Sequence, residues 1–345
     1  LYTDSINYNN IIIFSKGKLK YKPKAIASGV SIKKGALYSD EDRNVSYRYF
    51  TSLKNFKYPS ISYSKIPSKK DALTASLFLS PRERFSIGFD LDLSHSNIQD
   101  FGIGLGGGLG IRNVFRGAEI LELNIKNTLG ASRDIAQTGD QFFNIFELGA
   151  DLKLSIPRIL IPFRQKEWIP SIMNPKTEII VGSSFQQNIG LDKEFFKGTY
   201  QFDWQPNSEK KIQIKLLDLE FVNNRNLTNY FNVYKNSYDR LNTISQRYNF
   251  ETSWVDENNN LIIPEGASNF INAVLENQTP VEIDDDEFKL VNTAKERQAR
   301  LTSNNLILAS SINLNLNSQE SIFDENFYQF RWKVTLAGNL LNKII

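Results

Sequence analysis

Long stretches of strictly alternating apolar and polar residues constrain the fold of this chain more than any other feature. The first stretch places Phe85, Ile87, Phe89, Leu91 and Leu93 in alternation with small or acidic residues. The same period of two recurs in four later segments, 101–111, 121–126, 146–156 and 199–205. Because successive side chains of a strand point to opposite faces, this pattern predicts β-strands with one apolar and one polar face.

The length of these strands indicates what the two faces meet. Strands of soluble proteins typically have about five or six residues, whereas a tilted strand needs about 9–11 residues to cross a bilayer. The polar residues include Asp, Glu, Lys and Gln, so this face cannot be the dry centre of a sandwich. We therefore predict a mostly β protein with a transmembrane antiparallel β-barrel. A long antiparallel sheet with one solvated face is the alternative.

The first 80 or so residues have a different pattern and predict a small α+β domain. A strand at 11–20 precedes a short helix at 23–30, and Ser39 is the expected N-cap of a second helix. We expect that helix to stop at Pro59 and two strands to follow, in the order β-α-α-β-β. The predicted boundaries are 1–80 for this domain and 81–345 for the barrel. A long loop is expected at about 223–302, with a helix near 231–247.

Composition excludes several kinds of chemistry. The chain has no Cys and one His, so disulfides, Cys-ligated metals, thiol nucleophiles and multi-His metal sites are excluded. Lys plus Arg is 41 and Asp plus Glu is 38, a net charge of +3 that gives no reason to expect nucleic acid as a partner. The only Met is Met173 and the chain begins at Leu1, so we expect a processed protein or a fragment of a longer one.

Three motifs could indicate ligands, but each has a simpler interpretation. Glycines alternate from Gly102 to Gly110 inside a strand rather than before a helix, which argues against a dinucleotide site and favours sharp curvature or close packing in the barrel lumen. Asp90 and Asp92 could act as paired carboxylates, but a hydrated barrel interior explains them. The acidic run 284–286 is expected to be a solvated loop rather than a cation site. We predict no catalytic, cofactor-binding or metal-binding residues.

Four segments together resemble one protein family. They are the entry into the second helix at 35–39, the first long strand at 85–97, the turn Asn113-Val-Phe-Arg-Gly-Ala-Glu119 and the segment 157–163. The turn is the most specific of them. Over nearly its whole length the chain resembles the BamA/TamA superfamily of outer-membrane assembly proteins, and it is most similar to the TamL branch.

The resemblance implies a bacterial outer-membrane barrel of about sixteen strands whose first and last strands pair weakly and open as a lateral gate. Residues 1–80 would be a POTRA domain in the periplasm. The gate strand would carry Phe85, Ile87, Phe89, Leu91 and Leu93. Pro81 and Arg82 would form the junction between the two domains.

The resemblance also implies partners for the chain. They would be unfolded outer-membrane protein substrates, the lipid bilayer with its outer-membrane glycolipid, and periplasmic or outer-membrane accessory subunits.

The chain also departs from the family pattern. The hallmark Arg-Gly-Phe/Tyr motif of a late extracellular loop is missing, and Phe115-Arg116-Gly117 has similar letters on a different turn. We count about nine strands, so the first half or so of a barrel is expected. The predicted function is non-enzymatic protein assembly, insertion or translocation through a lateral gate. The alternatives are a passive channel or two-partner-secretion pore, and a secreted β-sandwich that binds glycan.

Overall fold

Nine antiparallel strands in one sheet dominate the computed structural model, which describes residues 2–68, 71–95, 101–131, 143, 145–161, 169–187, 192–248, 252–278, 284–319, 321 and 323–338. The strands of this sheet are β5 (Phe85–Ser94), β6 (Phe101–Arg112), β7 (Ile120–Ala131), β8 (Ile145–Ile156), β9 (Lys176–Gln187), β10 (Asp192–Trp204), β11 (Lys210–Arg225), β12 (Asn305–Asn317) and β13 (Gln329–Ala337). Each strand pairs with its neighbour in the sequence. This confirms the prediction of a mostly β protein built from long alternating strands.

Six shorter elements precede the sheet. They are β1 (Asp4–Tyr8), β2 (Ile11–Ser15), α1 (Pro23–Ala27), α2 (Asp40–Ser52), β3 (Phe56–Lys65) and β4 (Leu73–Pro81). The first two strands form one hairpin and the last two form another. The predicted order β-α-α-β-β was therefore wrong at its start, because a tight turn at Asn9 and Asn10, both with positive φ, folds a further strand back onto β2.

The second helix begins as expected and ends earlier than expected. The Ser39 side chain accepts a hydrogen bond from the Asp42 N–H, and three acidic residues occupy the first turn, which favours the helix dipole. The helix ends at Ser52, not at Pro59. Lys54 has a positive φ, which breaks the helix and lets the chain enter β3, where Pro59 lies.

A small hydrophobic core holds this N-terminal region together. Ile13, Ile26, Phe50 and Phe56 are buried in it, and Phe50 is fully inaccessible. Ala118, from the turn after β6, belongs to the same core. The N-terminal region and the sheet are therefore joined by packing as well as by the chain itself.

The large sheet is open in the part of the chain that the structure describes. Strands β5 and β13 each have one strand neighbour, so the sheet has two edges and does not close into a barrel. With nine strands in sequential antiparallel order, the two edge strands run in the same direction. One bulge interrupts the ladder at Leu216, whose carbonyl oxygen accepts a hydrogen bond of 2.7 Å from Ser310 Oγ.

The connection between β11 and β12 is a helical insertion instead of a plain loop. Its helices are α3 (Tyr230–Val233), α4 (Lys235–Tyr248), α5 (Glu265–Leu275) and α6 (Asp285–Thr302). Its buried core consists of residues between Tyr230 and Ala294, without a contribution from the strands. One helix near 231–247 was predicted, and α5 and α6 were missed. The acidic run is not a solvated loop, since the Asp284 side chain caps α6 by accepting from the N–H groups of Asp286 and Glu287.

The count of about nine strands agrees with the nine strands of the sheet, but the alternating pattern does not reveal β9. Its middle reads Ile179-Ile180-Val181 and then Gly182-Ser183-Ser184, which breaks the alternation. The register with β8 and β10 nevertheless continues without interruption from residue 177 to residue 186. Residues 177–186 therefore form a strand because the backbone pairs with β8 and β10, although their side chains do not alternate.

Candidate lateral edge and its junction with the N-terminal region

The outer face of the sheet is apolar and uncovered. It carries exposed large hydrophobic side chains on strand after strand, including Leu105, Ile125, Leu152, Val181, Phe196, Ile312 and Trp332. Water-soluble proteins rarely expose a continuous apolar surface of this extent. The surface is therefore suited to an apolar surrounding such as lipid.

The inner face is polar, and its charges are paired across strands. Glu178, which is 7% exposed, lies 3.1 Å from Lys153 Nζ and also pairs with Lys176. The Gln201 side-chain amide donates to Glu178 at 2.6 Å and to Asp203 at 3.0 Å. The buried Glu178 carboxylate is thus paired and hydrogen-bonded, as a charge removed from water requires.

The alternating glycines of β6 lie on this inner face, and neighbouring strands fill the space that they leave. A Cβ on Gly106 would lie 3.2 Å from Asp90 Cβ, and a Cβ on Gly104 would lie 3.2 Å from Asp92 Cβ. Lys126 on β7 reaches across β6 to Asp92, with 3.0 Å between Nζ and Oδ2. The glycines thus allow side chains of β5 and β7 to approach each other over β6. The space along Gly104 and Gly106 is therefore occupied by side chains of the neighbouring strands.

The five predicted gate residues lie together on β5, the first edge of the sheet. Phe85, Ile87, Phe89, Leu91 and Leu93 share the outer face and are 58% to 86% exposed. The ladder with β6 runs without a break from Phe85 to Ser94 and satisfies one side of β5. The other side of the strand has no partner among the described residues. That their role is a gate stays a prediction.

The opposite edge, β13, has a similar outer face and a different inner face. Phe330, Trp332 and Leu336 are exposed on the outside. Register with β12 places Arg331 and Lys333 on the inside, beside Asn315 and Asn313. The inner residues of β5 include two acids, so the two edges carry opposite charges.

The turn between β6 and β7 is a compact structure built around Glu119. The Glu119 carboxylate is fully buried and accepts hydrogen bonds from the N–H groups of Gly117 at 2.8 Å and Phe115 at 3.3 Å. Arg158 Nη1 lies 3.1 Å from its other oxygen. A Cβ on Gly117 would lie 2.3 Å from Glu119 Oε1, so a larger residue at that position would displace the buried carboxylate. We call residues 113–119 with Arg158 the junction turn.

Electrostatics keep Glu119 ionised although it is buried. Burial raises the pKa of this carboxyl group, but backbone N–H donors and the Arg158 guanidinium outweigh the burial. The net result is a pKa below the ordinary value of 4.5. The junction turn therefore contains a stable carboxylate at neutral pH.

The junction turn holds the N-terminal region through the backbone. The Lys22 N–H donates to the Arg116 carbonyl oxygen at 2.7 Å, and Arg116 Nη2 donates to the Leu19 carbonyl oxygen at 2.9 Å. Asn113 Nδ2 donates to the Lys20 carbonyl oxygen at 3.0 Å. These bonds attach the segment before α1 to the base of β6 and β7.

Asn55 links the same turn to the end of α2 and to the end of the β3–β4 hairpin. Its fully buried side-chain amide donates to the carbonyl oxygens of Leu53 and Ala118, both at 2.9 Å. The Asn55 backbone carbonyl oxygen accepts from the Arg82 N–H at 2.8 Å, and Arg82 Nε donates to the Phe56 carbonyl oxygen at 3.1 Å. Arg82 thus lies within this contact.

Pro81 and Arg82, the residues predicted for the domain junction, lie where β4 passes into β5. Pro81 is the last residue of β4. Beyond Arg82, Arg112 fixes the link to the base of β6: its N–H donates to the Arg84 carbonyl oxygen at 2.8 Å and its Nη1 to the Glu83 carbonyl oxygen at 2.9 Å. The residues that lead into β5 are therefore held by the N-terminal region at Arg82 and by the end of β6 at Glu83 and Arg84. The domain boundary at residue 80 itself stays a prediction.

Sequence reasoning did not single out Glu119, Arg158 or Asn55. A weak signal was present, because the family resemblance rests most strongly on residues 113–119. The decisive feature is the positive φ of Asn113, Arg116 and Ala118. This conformation is rare outside glycine and is not visible in the residue types.

Neither metal-binding clusters nor membrane-type helices occur among the described residues. No group of three or more His, Asp or Glu residues there is arranged to hold a metal ion. Among the helices of the same residues, none combines the length and the hydrophobicity of a membrane-spanning helix.

Comparisons with known proteins give a weak structural likeness. No protein-family model and no curated protein matches the sequence. Among solved structures, BamA from Haemophilus ducreyi lacking POTRA domains 1–3 is similar at 10% identity and a TM-score of 0.46, covering 92% of this chain and 46% of that one. CdiB from Acinetobacter baumannii is similar at 8% identity and a TM-score of 0.32, covering 94% of this chain and 51% of that one.

The chain therefore spans about half the length of the solved structures that it matches.

Proposed function

We propose that this chain is part of a non-enzymatic outer-membrane protein that assembles, inserts or translocates other proteins through a lateral strand edge. The observation that carries the proposal is the side of β5 that has no strand partner among the described residues; it lies beside an apolar outer face and next to a fixed end of the strand. An unpaired strand edge offers a row of backbone donors and acceptors to an incoming strand. Pairing at such an edge is β-augmentation, here used as an assembly step.

The two faces of the sheet support a place in a membrane. In a bilayer every backbone polar group must be paired, and strands achieve this through their neighbours. The outer face would contact lipid, and the paired charges of the inner face would line a hydrated interior. We infer an outer-membrane location, because barrels of this kind belong there, with the outer-membrane glycolipid among the lipids in contact.

Residues 1–80 would act as a POTRA-like periplasmic domain. The N-terminal region contacts the ends of β5, β6 and β7 that meet at the junction turn. The helical insertion follows the end of β11, at the opposite end of the sheet. In a membrane, one accessory region would then lie on each side, which suits the receipt of unfolded substrates on one side and an accessory subunit on the other.

A passive channel or a two-partner-secretion pore is the second candidate, favoured by the charged inner face. A channel of this type needs firm pairing of its first strand, whereas assembly needs access to that strand. Accessibility of the free side of β5 therefore separates the two functions.

A cross-linking experiment tests the proposal directly. The chain has no Cys, so a single introduced Cys is unique. The Phe89→Cys variant of the intact protein in phospholipid vesicles is mixed with an unfolded outer-membrane protein that carries one Cys in a strand segment. We expect a disulfide adduct during assembly. The matched control is Leu152→Cys, because Leu152 is an exposed outer-face residue on β8, a strand paired on both sides.

The result distinguishes the candidates. Adducts at Phe89 and not at Leu152 support an accessible edge. Equal yields at the two positions, or no adduct at either, contradict the proposal and favour the channel.

A further inference from the structure

The inner residues of β5 bear on which strands its free edge would accept, an inference that rests on the proposed function. In the alternating pattern of β5, Asp90 and Asp92 lie on the inner face between Phe89 and Leu93. A strand added to the free side would place its own inner residues directly beside these carboxylates. The site is the open edge, and the two aspartates bear only on its selectivity.

Nothing on the neighbouring strand neutralises these two charges. The residues paired with Asp90 and Asp92 are Gly106 and Gly104, which have no side chains. Lys126, one strand further, pairs with Asp92 at 3.0 Å, and both side chains are more than half exposed. Asp90 has no ion-pair partner in the part of the chain that the structure describes. One full and one partly compensated negative charge therefore face an incoming strand.

We propose that the edge of β5 selects strands that carry Lys or Arg at alternating positions, with apolar residues between them. The cations would lie beside Asp90 and Asp92, and the apolar residues would continue the outer face formed by Ile87, Phe89 and Leu91. Opposite charges on directly adjacent strands favour pairing, and like charges oppose it. Acidic residues at the same positions of an incoming strand would meet repulsion.

Two peptides of strand length test the selectivity. They alternate Leu with either Lys or Glu, are otherwise identical and end in one Cys. Each is captured by the Phe89→Cys variant of the intact protein in neutral phospholipid vesicles. For two charge pairs we expect the Lys peptide to be captured about threefold to thirtyfold more than the Glu peptide.

Three further variants, each combined with Phe89→Cys, locate the effect. Asp90→Asn should reduce the preference, whereas Glu147→Gln removes one acid from β8 of the same face and should leave it unchanged. Lys126→Met frees Asp92 and should increase the preference. An increase is a result that mere loss of structure does not produce.

The charge selection and the pairing of strands at the β5 edge can fail independently. Capture of both peptides in equal amounts overturns the charge selection and leaves the edge function intact. Capture of neither peptide by Phe89→Cys counts against the proposed function itself. An unchanged or lowered preference in the Lys126→Met variant also overturns the selection.

Discussion

The two edges of the large sheet resemble each other outside and differ inside. Both β5 and β13 present exposed aromatic and aliphatic side chains on the outer face. On the inner face β5 carries Asp90 and Asp92, and β13 carries Arg331 and Lys333. The two edges therefore share an apolar outer surface and are distinguished by the charge of their inner residues.

The two edge strands also differ at their first residues, which lie at the end of the sheet that contacts the N-terminal region. The base of β5 is fixed by Arg82, Arg112 and the junction turn, with the Glu119 carboxylate at the centre. The base of β13 adjoins exposed residues, where Tyr328 Oη donates to Glu209 at 2.9 Å. We therefore expect the first residues of β5 to be held more rigidly than the first residues of β13.

The largest effect is expected at the apolar outer face, which both edge strands have. Phe89→Arg on β5 and Trp332→Arg on β13 each place a charge on the apolar face. We expect each to destabilise the protein folded into vesicles by about 2–4 kcal/mol, the typical cost of a basic residue facing lipid near the bilayer midplane. Thr335→Arg, on the inner face of β13, is the control and should cost little. Folding equilibria in urea with phospholipid vesicles measure all three, and equal costs for Thr335→Arg and Trp332→Arg argue against a lipid-facing surface.

The next effect concerns the first residues of the two edge strands. Glu119→Ala leaves two backbone N–H groups and Arg158 without their acceptor, so the attachment of the N-terminal region should weaken by about 1–3 kcal/mol. Tyr328→Phe at the start of β13 removes one exposed hydrogen bond and should change stability by less than about 0.5 kcal/mol. Limited proteolysis at residues 82–84 and urea titration give the readouts. Similar costs for the two variants contradict the difference in rigidity between the first residues of β5 and those of β13.

Because of the Glu119 carboxylate, we expect the stability of the attachment at the start of β5, and not at the start of β13, to depend on pH. The pKa of this carboxyl group in the folded protein lies below the ordinary value of 4.5, so its stabilising contribution is complete above that value. The contribution is lost as the pH falls through the lowered pKa. Proteolysis at residues 82–84 by an acid-active protease should therefore accelerate in the native protein as the pH falls below 4.5 and through the lowered pKa of Glu119. In Glu119→Gln the rate should lack this acid-dependent step, and an identical profile in the variant would remove Glu119 as the cause.

The smallest effect concerns the charges of the inner faces. If the two edges have distinct identities, a Cys on β13 in place of Val334 should capture the Glu peptide in preference to the Lys peptide, opposite to Phe89→Cys. Raising the salt concentration to 1 M shortens the Debye length to about 3 Å, so both preferences should shrink while capture itself persists. Capture yields at low and high salt measure this. A preference of the same sign at both edges contradicts the comparison.

The sequence predicted the large strands well and the candidate site only in part. Strict alternation from Phe85 to Leu93 and from Phe146 to Ile156 predicted β5 and β8 within a residue or two. Alternation fails at β9, where three adjacent aliphatic residues hide the strand. It also fails for α5 and α6, which lie in a region read as a loop. These two helices are stabilised by packing against each other, with Phe270 and Val291 buried in one core, and local sequence does not show that contact.

What the sequence determined by itself is the division into faces. A period of two fixes which side chains share a surface, because strand geometry is the same wherever the strand lies. The outer apolar face, the inner charged face and the five residues of the β5 edge follow from that rule alone.

Only the tertiary structure decided which residues meet. Glu119 and Arg158 are 39 residues apart, and Asn55 and Ala118 are 63 apart. The backbone conformations that bring them together have positive φ at Asn113, Arg116 and Ala118, which residue type does not reveal. Pairing of this kind depends on how the N-terminal region and the sheet pack, so no local pattern of the sequence contains it.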